Sequence, residues 1–209
     1  MNIIDLSYPI NNEMSSYPGD PPIQLNQVKD IDPNASRVTH VSFGTHSGTH
    51  VDAPSHMIKQ GKHLNEFELS HFMGRTIKFH INQWGHYPIK NEHYDGILIE
   101  TGWGNCFHNP HQYFSKNRPS IPLDIAESIS ESGVKFLGCD LPSVDKSGSP
   151  EKQIHLMLLS KHILIYESLA NLSLIPNGIP FMFIGFPLPF SDIDGSPVRA
   201  IAILNPSFF

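Results

Sequence analysis

One short segment of the sequence concentrates side chains that bind metal ions. It begins at Thr45 and carries its possible ligands at His46, His50, Asp52 and His56. Imidazole nitrogens and carboxylate oxygens are standard ligands of Zn²⁺ and of other divalent transition metals. Any one of these histidines, taken alone, is better explained as an ordinary hydrogen-bonding strand residue. Four possible ligands within so few positions indicate a metal centre instead.

The same segment is predicted to be extended rather than helical. Two histidines four positions apart suggest the helical arrangement of zinc proteases, but Gly48, Pro54 and the β-branched residues around them disfavour a helix. The four ligands occupy even positions, which share one face of an extended chain. A straight strand would separate His46 from His50 by roughly 13 Å, too far for two bonds of about 2 Å to one metal ion. We therefore expect a bend at Gly48 and a turn at Pro54 that directs His56 towards the site.

Further ligands are expected from other parts of the chain. A catalytic mononuclear centre needs three or more protein ligands and an open position for water. His155 and Glu167 are candidates, one on each side of an apolar stretch. Each is weak by itself, since Glu167 could equally end a strand at the surface.

The elements that must position these residues are predicted to form a strand-rich α/β fold. Short apolar or β-branched runs recur beside Gly or Pro, whereas helical spacing is rarer. No repeat or linker divides the chain, so residues 1–209 are expected to be a single domain. The predicted strands are Asn2–Leu6, Val38–Phe43, Thr76–Ile81, Gly96–Glu100, Val134–Gly138, Ile163–Tyr166, Phe181–Ile184 and Val198–Leu204. The predicted helices are Leu64–Phe72, Pro122–Ser132, Leu156–Lys161 and Ser168–Leu174.

Composition excludes several classes of function. The 14 Lys and Arg against 20 Asp and Glu give a net charge of −6, and no basic run could neutralise a nucleic-acid backbone. The first residues lack a basic, apolar leader, and no run of about 18 apolar residues occurs, so neither a signal peptide nor a membrane span is predicted. Two cysteines, Cys106 and Cys139, are too few for a disulfide framework. We expect a reduced, cytoplasmic protein.

The motifs together resemble the cyclase-like metal-dependent hydrolases, a family that includes bacterial kynurenine formamidase and isatin hydrolase. The segment from His46 to His56 is similar to the family's core motif, HxGTHxDxPxH. One small departure is Cys139, which stands where an aliphatic residue is more usual. The other similar segments are Asp5–Ser7, Tyr17–Asp20, Leu98–Trp103, Gly138–Asp145 and Asp194–Ala200, with His155 and Glu167 at the family's distal His and Glu.

This resemblance implies a β/β/α swivelling-domain fold, assembled as a homo-oligomer that is often a dimer. In the formamidase branch it implies two metal ions, with Asp52 shared between them and His56 as the general acid and base. The implied ligands are His46, His50, Asp52, His155 and Glu167. Isatin-hydrolase relatives hold one Mn, mainly by the His-His-Asp set. We expect Zn as the metal, with Mn as a second choice.

The activity implied is metal-dependent hydrolysis of a C–N bond that is not a peptide bond. The substrate expected first is N-formylkynurenine, from tryptophan catabolism, which would give kynurenine and formate. A metal-activated water would attack the carbonyl carbon, and His56 would carry its proton to the leaving nitrogen. Two alternatives stay open: a cyclic amide, imide or lactone hydrolase of the isatin type, and a metal-binding protein without catalysis.

Two smaller sets of residues also have two interpretations. Asp140, Ser143 and Asp145 either orient the ligating imidazoles or hold a turn through their own hydrogen bonds. Tyr17 and Trp103 either line an aromatic pocket or pack in the core, and the core is the simpler reading.

Overall fold

A nine-stranded mixed sheet forms the centre of the protein, for which the computed structural model describes residues 2–32, 36–85 and 93–205. The strands within those residues are β1 (Asn2–Asp5), β2 (Gln24–Lys29), β3 (Val38–Ser42), β4 (His50–Asp52), β5 (Met73–His80), β6 (Gly96–Glu100), β7 (Phe136–Cys139), β8 (Leu164–Glu167), β9 (Phe181–Ile184), β10 (Gly195–Pro197) and β11 (Ile201–Leu204). The sheet has the order β1-β11-β9-β5-β6-β7-β8-β4-β10, while β2 and β3 pair separately as an exposed hairpin.

The four central strands, β5 to β8, run parallel and are covered on both faces. Such strands read as continuous apolar runs, because neither face meets water. In β6, Ile97 and Ile99 face one apolar cluster and Leu98 faces the other, as the period of two along a strand requires. The first cluster is covered by two helices that contact each other, α2 and α3. The helices are α1 (Pro110–Tyr113), α2 (Leu123–Ser130) and α3 (Gln153–Ser160).

The sheet is strongly curled, so that its two ends approach each other. Strand β10 lies at one edge and β11 next to the other, yet only residues 198–200 join them. Backbone hydrogen bonds close the gap: Val198 N donates to Thr49 O at 3.0 Å, and Leu6 N donates to Ala200 O at 2.9 Å. One of the two apolar clusters that pack on the sheet contains large buried side chains, among them Tyr166. This curl places β4, which carries two of the predicted ligands, beside the chain's C-terminal strands.

The strand-rich α/β class predicted from the sequence is confirmed. All eight predicted strands are present, with bounds that differ by at most three residues. Three short or exposed strands, β2, β4 and β10, were not predicted. No helix in the described parts of the chain has the length and apolar character needed to cross a membrane.

Two of the four predicted helices are confirmed and two are wrong. Pro122–Ser132 corresponds to α2, and Leu156–Lys161 to α3, which begins earlier. Leu64–Phe72 forms two separate 3₁₀ turns, because Phe67 and Glu68 between them are extended. The second error is Ser168–Leu174, where left-handed residues at 168 and 171 leave room only for a 3₁₀ turn near the end.

Candidate metal centre

Two adjacent strands bring three of the predicted ligands together. His50 and Asp52 are the two ends of β4, so they share one face while Val51 faces the apolar core. Strand β8 pairs with β4 in a register that places Glu167 directly opposite His50. All three ligands are buried, at 0–4% relative exposure. Buried ionisable groups are costly unless they are paired or bind a metal, so this position already indicates a function.

Helix α3 supplies His155, and the loop before that helix orients it. Asp145 accepts hydrogen bonds from the backbone N–H groups of Ile154 and His155, at 2.9 and 3.2 Å, and thereby caps α3. The same carboxylate lies 2.6 Å from His155 Nδ1. Nδ1 is therefore occupied and Nε2 faces the site, an arrangement typical of metal-binding histidines. His50 is fixed in the same way, since its Nδ1 lies 2.8 Å from Gly48 O.

The facing donor atoms have the separations of ligands around one metal ion. Two donors that bind a tetrahedral metal at about 2.0–2.1 Å lie roughly 3.3–3.4 Å apart. His50 Nε2 lies 3.3 Å from an oxygen of Asp52 and 3.6 Å from one of Glu167. His155 Nε2 lies 3.5 Å from the other Asp52 oxygen and 3.3 Å from Glu167. Asp52 Oδ2 is fully buried, and no described residue donates a hydrogen bond to it. A divalent cation fits this donor set.

The remaining two predicted residues, His46 and His56, lie beside this group. The bend expected at Gly48 is present, with φ +61°, and a 3₁₀ turn beginning at Pro54 carries His56. The two imidazole rings are 3.9 Å apart between centroids. His46 Nδ1 lies 2.7 Å from Asp52 Oδ1, which is a hydrogen-bonding distance. The structure thus brings all six predicted site residues together.

Two overlapping groups of potential ligands share Asp52. His46, Asp52 and His56 offer donor atoms within 4.8 Å of one another, and His50, Asp52 and Glu167 do the same. The resemblance implied a shared Asp52, and this geometry is compatible with one or two ions. It also places His56 close enough to act as a ligand, as the spacing of the motif suggested, although the family resemblance implies an acid-base role for this residue.

A further acidic residue, Asp194, completes the group around His46 and His56. Its Oδ2 lies 3.0 Å from His46 Nε2 and 3.5 Å from His56 Nδ1. The adjacent Gly195 gives His46 its space, because a Cβ there would lie 2.6 Å from His46 Cε1. The sequence singled out Asp194 only as part of the last similar segment. No local spacing links it to the histidine motif, since only the curl of the sheet brings them together.

Carboxylates dominate the electrostatics of the site. Burial opposes the charge on His46, but attraction to Asp52 and a hydrogen bond to Asp194 outweigh it and raise the pKa of His46 to about 10. Burial likewise opposes the charge on Asp52, yet His46 and two other histidines hold the pKa of Asp52 well below its usual value. Hydrogen bonds from His46 and His56 also lower the pKa of Asp194. The site is built to hold positive charge.

The structure distinguishes the roles of Asp140, Ser143 and Asp145, for which the sequence left two interpretations. Asp145 orients His155, whereas Asp140 holds a turn by accepting hydrogen bonds from Thr101 and Gly104. Ser143 accepts a hydrogen bond at its carbonyl from Arg118 and lines the site. The neighbouring Val144 N donates to Glu167 Oε1 at 2.8 Å and so orients that carboxylate.

Tyr17 and Trp103, which also had two interpretations, differ in their positions. Tyr17 lines the site, while Trp103 packs against the core and donates its indole N–H to Tyr113 O. Both cysteines are free; Cys139 is buried, which raises the pKa of its thiol.

A cavity of about 190 Å³ opens onto the metal donors. Its lining combines five of the six predicted site residues, all but the buried Asp52, with six further residues. These are Tyr17, Asp20, Met57, Pro142, Ser143 and Lys152. This volume is below the roughly 300–1,000 Å³ of most ligand sites, so the cavity suits only a small molecule.

Comparison with known proteins assigns the family. The model of the Cyclase family matches residues 4–146. This chain belongs to the cyclase family. A kynurenine formamidase of Bacillus cereus is 32% identical in an alignment of 205 positions that covers 95% of each chain.

Solved structures share its fold. An isatin hydrolase bound to the product analogue thioisatinate superposes with a TM-score of 0.81 at 18% identity, covering 96% of this chain and 91% of the other. A potential metal-dependent hydrolase with cyclase activity gives 0.79 at 20% identity, covering 96% of both chains. The fold that the sequence resemblance implied is therefore confirmed.

Proposed function

We propose that this member of the cyclase family is a metal-dependent hydrolase that converts N-formylkynurenine into kynurenine and formate. Its relatives and structural neighbours are hydrolases of amide C–N bonds, and this coarser activity follows from family membership. The observation that carries the proposal is the buried donor set around Asp52, whose Oδ2 accepts no hydrogen bond from the described residues. The choice of substrate is supported by the relative named kynurenine formamidase, which aligns over nearly the whole chain.

The residues proposed to hold the metal are those that the sequence indicated: His46, His50, Asp52, His155 and Glu167. Zn is the metal we expect, with Mn as the alternative, since imidazole and carboxylate suit both. When bound, such an ion polarises a carbonyl oxygen and lowers the pKa of water near it. The protein's own contribution is to fix the donors before the substrate arrives.

His56 is proposed as the general acid and base. Its Nδ1 is directed at Asp194, so Nε2 is the nitrogen free to exchange a proton. His56 would take a proton from the attacking water and return it to the leaving aniline nitrogen. The hydroxyl group of the water would then end in formate and the transferred proton in the amino group of kynurenine. The His56 ring is half-buried at the cavity, and imidazole is the side chain that most often serves as a general acid and base.

Metal removal and restoration test the proposal. The purified protein would be stripped with a chelator, checked by elemental analysis, and refilled with Zn or Mn. We expect hydrolysis of N-formylkynurenine to disappear and to return with the metal. Full activity of the stripped protein would contradict the mechanism.

One further substrate and one further outcome complete this test. Isatin, assayed beside N-formylkynurenine, separates the formamidase from the cyclic-amide alternative. Tight metal binding without turnover of either would instead favour a non-catalytic role. The cytoplasmic location and the homo-oligomeric state stay predictions from the sequence.

A further inference from the structure

Two oppositely charged side chains, Lys152 and Asp20, line the cavity that contains the metal donors. In the described part of the chain, neither the Lys152 ammonium nor the Asp20 carboxylate makes a hydrogen bond or an ion pair. A charge that is directed at a cavity and has no internal partner is available for a ligand. These two residues therefore offer one charge of each sign to whatever enters.

The residues that line the cavity become more exposed from the end with the proposed metal donors to the mouth. His155 and Glu167 are buried, the aromatic and thioether side chains of Tyr17 and Met57 are half-buried, and Asp20 is exposed. A ligand that reaches the metal donors with a carbonyl group would meet apolar surface next and charged groups at the rim. That order matches a formamide on an aromatic ring with a charged group at its far end.

The backbone holds both charged residues in place. Tyr17 and Asp20 are the ends of a β-turn closed by Asp20 N donating to Tyr17 O at 2.9 Å, with the positive φ of Gly19 inside it. Lys152 has left-handed dihedrals, φ 46° and ψ 45°, which a residue with a Cβ rarely adopts. Its carbonyl accepts a hydrogen bond from Leu156 N at 3.0 Å, so its position is tied to the helix that carries His155.

We propose that Lys152 binds the α-carboxylate and Asp20 the α-ammonium of a substrate with an amino-acid head group. The inference rests on the proposed function and identifies the residues that determine its substrate specificity. N-formylkynurenine carries both charges, whereas isatin carries neither. Lys152 and Asp20 are thus specificity-determining residues, which select an aryl formamide with a zwitterionic head over an uncharged cyclic amide.

Calorimetric titration of the metal-loaded protein tests these contacts without requiring turnover. The probes are the product L-kynurenine, kynuramine, which lacks the carboxylate, and desamino-kynurenine, which lacks the ammonium. We expect Lys152→Asn to weaken L-kynurenine and desamino-kynurenine binding by about tenfold and to leave kynuramine within about twofold. Asp20→Asn should weaken L-kynurenine and kynuramine and spare desamino-kynurenine. Asparagine is chosen at 152 because it tolerates left-handed dihedrals.

Three controls separate recognition from damage. Lys152→Arg should restore much of the carboxylate preference, and Lys146→Asn, an exposed lysine outside the cavity, should change none of the affinities. Metal content and melting temperature should match the unmodified protein in every variant used. Equal losses for all three probes would overturn the inference, as would unmodified protein that does not prefer L-kynurenine to kynuramine.

Parallel hydrolysis assays distinguish this inference from the proposed function. If N-formylkynurenine is hydrolysed but the probe preferences do not depend on residues 20 and 152, the function stands and the inference fails. If the preferences follow those residues but N-formylkynurenine is not hydrolysed, recognition stands and the proposed reaction fails.

Discussion

The carboxylate of Asp145 makes two kinds of contact, one with the start of helix α3 and one with the His155 ring. It caps helix α3 through the backbone of Ile154 and His155, and it fixes the His155 ring through Nδ1. An oriented imidazole loses less freedom when it binds a metal ion, so the second contact contributes to metal affinity. The first contact contributes to the stability of the helix.

These two contributions can be separated with Asp145→Asn. An asparagine oxygen can still accept hydrogen bonds from the start of α3, but it provides no negative charge beside His155. We expect the affinity for Zn to fall by about 10–100-fold, with little change in the melting temperature of the metal-free protein. Competition with a chelating dye measures the affinity. Unchanged Zn affinity would show that the contact does not support the metal site.

His56 presents a choice between two roles, proton transfer and metal ligation. It lies next to His46 and Asp52 in one of the two potential ligand groups, whereas the family resemblance implied an acid-base role. We expect His56→Gln to lower kcat by about 10²–10⁴-fold and to leave the metal content unchanged. Elemental analysis of the variant decides the matter, because loss of a bound ion together with activity would make His56 a ligand.

The candidate site was more predictable than its surroundings at this scale. Four of the six candidate residues could be singled out because their side-chain chemistry is rare and they are close in sequence, whereas His155 and Glu167 were assigned through the family resemblance. Asp194 and Lys152 were missed because only tertiary structure brings them to the cavity. Their residue types are common at protein surfaces and carry no signal of their own.

Among the elements, the shortest strands matter most to the site and were the hardest to predict. Strand β4 consists of His50, Val51 and Asp52, and β10 of Gly195, Ser196 and Pro197. Neither has the apolar alternation from which strands are recognised, because the positions are occupied by ligands and by residues that make room for them. The long apolar strands in the middle of the sheet were predicted correctly for the opposite reason.

Close packing between β10 and the histidine motif gives a test of this element. Gly195→Ala would place a methyl group 2.6 Å from His46 Cε1, and His46 is held on both sides by carboxylates. We expect a loss of about 1–3 kcal/mol in the free energy of unfolding together with weaker metal binding. Urea titration measures the first effect. The matched control is Gly44→Ala, whose methyl group would meet only ordinary contacts at 3.5 Å or more and should be nearly neutral.

For the molecule as a whole, the curl of the sheet determines which parts of the chain meet. The helices α2 and α3 and the central strands could be predicted from local patterns, but the short helix α1 and the pairing of β4 with both β8 and β10 could not. This pairing depends on the short connection from β10 to β11, which crosses from one edge of the sheet towards the other. The metal donors consequently come from distant segments and tie them together.

This arrangement predicts that metal binding stabilises the whole fold. Donors on β4, β8 and α3 converge in the folded state and are far apart in the unfolded chain, so an ion that binds only the folded state raises its stability by mass action. At free Zn about 1,000 times its Kd, the gain should be about 4 kcal/mol. Thermal unfolding with increasing buffered Zn, against a chelated sample, measures it. The melting temperature should rise with the free metal concentration, and this rise should be reduced in Asp145→Asn at equal Zn. A melting temperature independent of Zn would mean that the donors around Asp52 do not hold an ion.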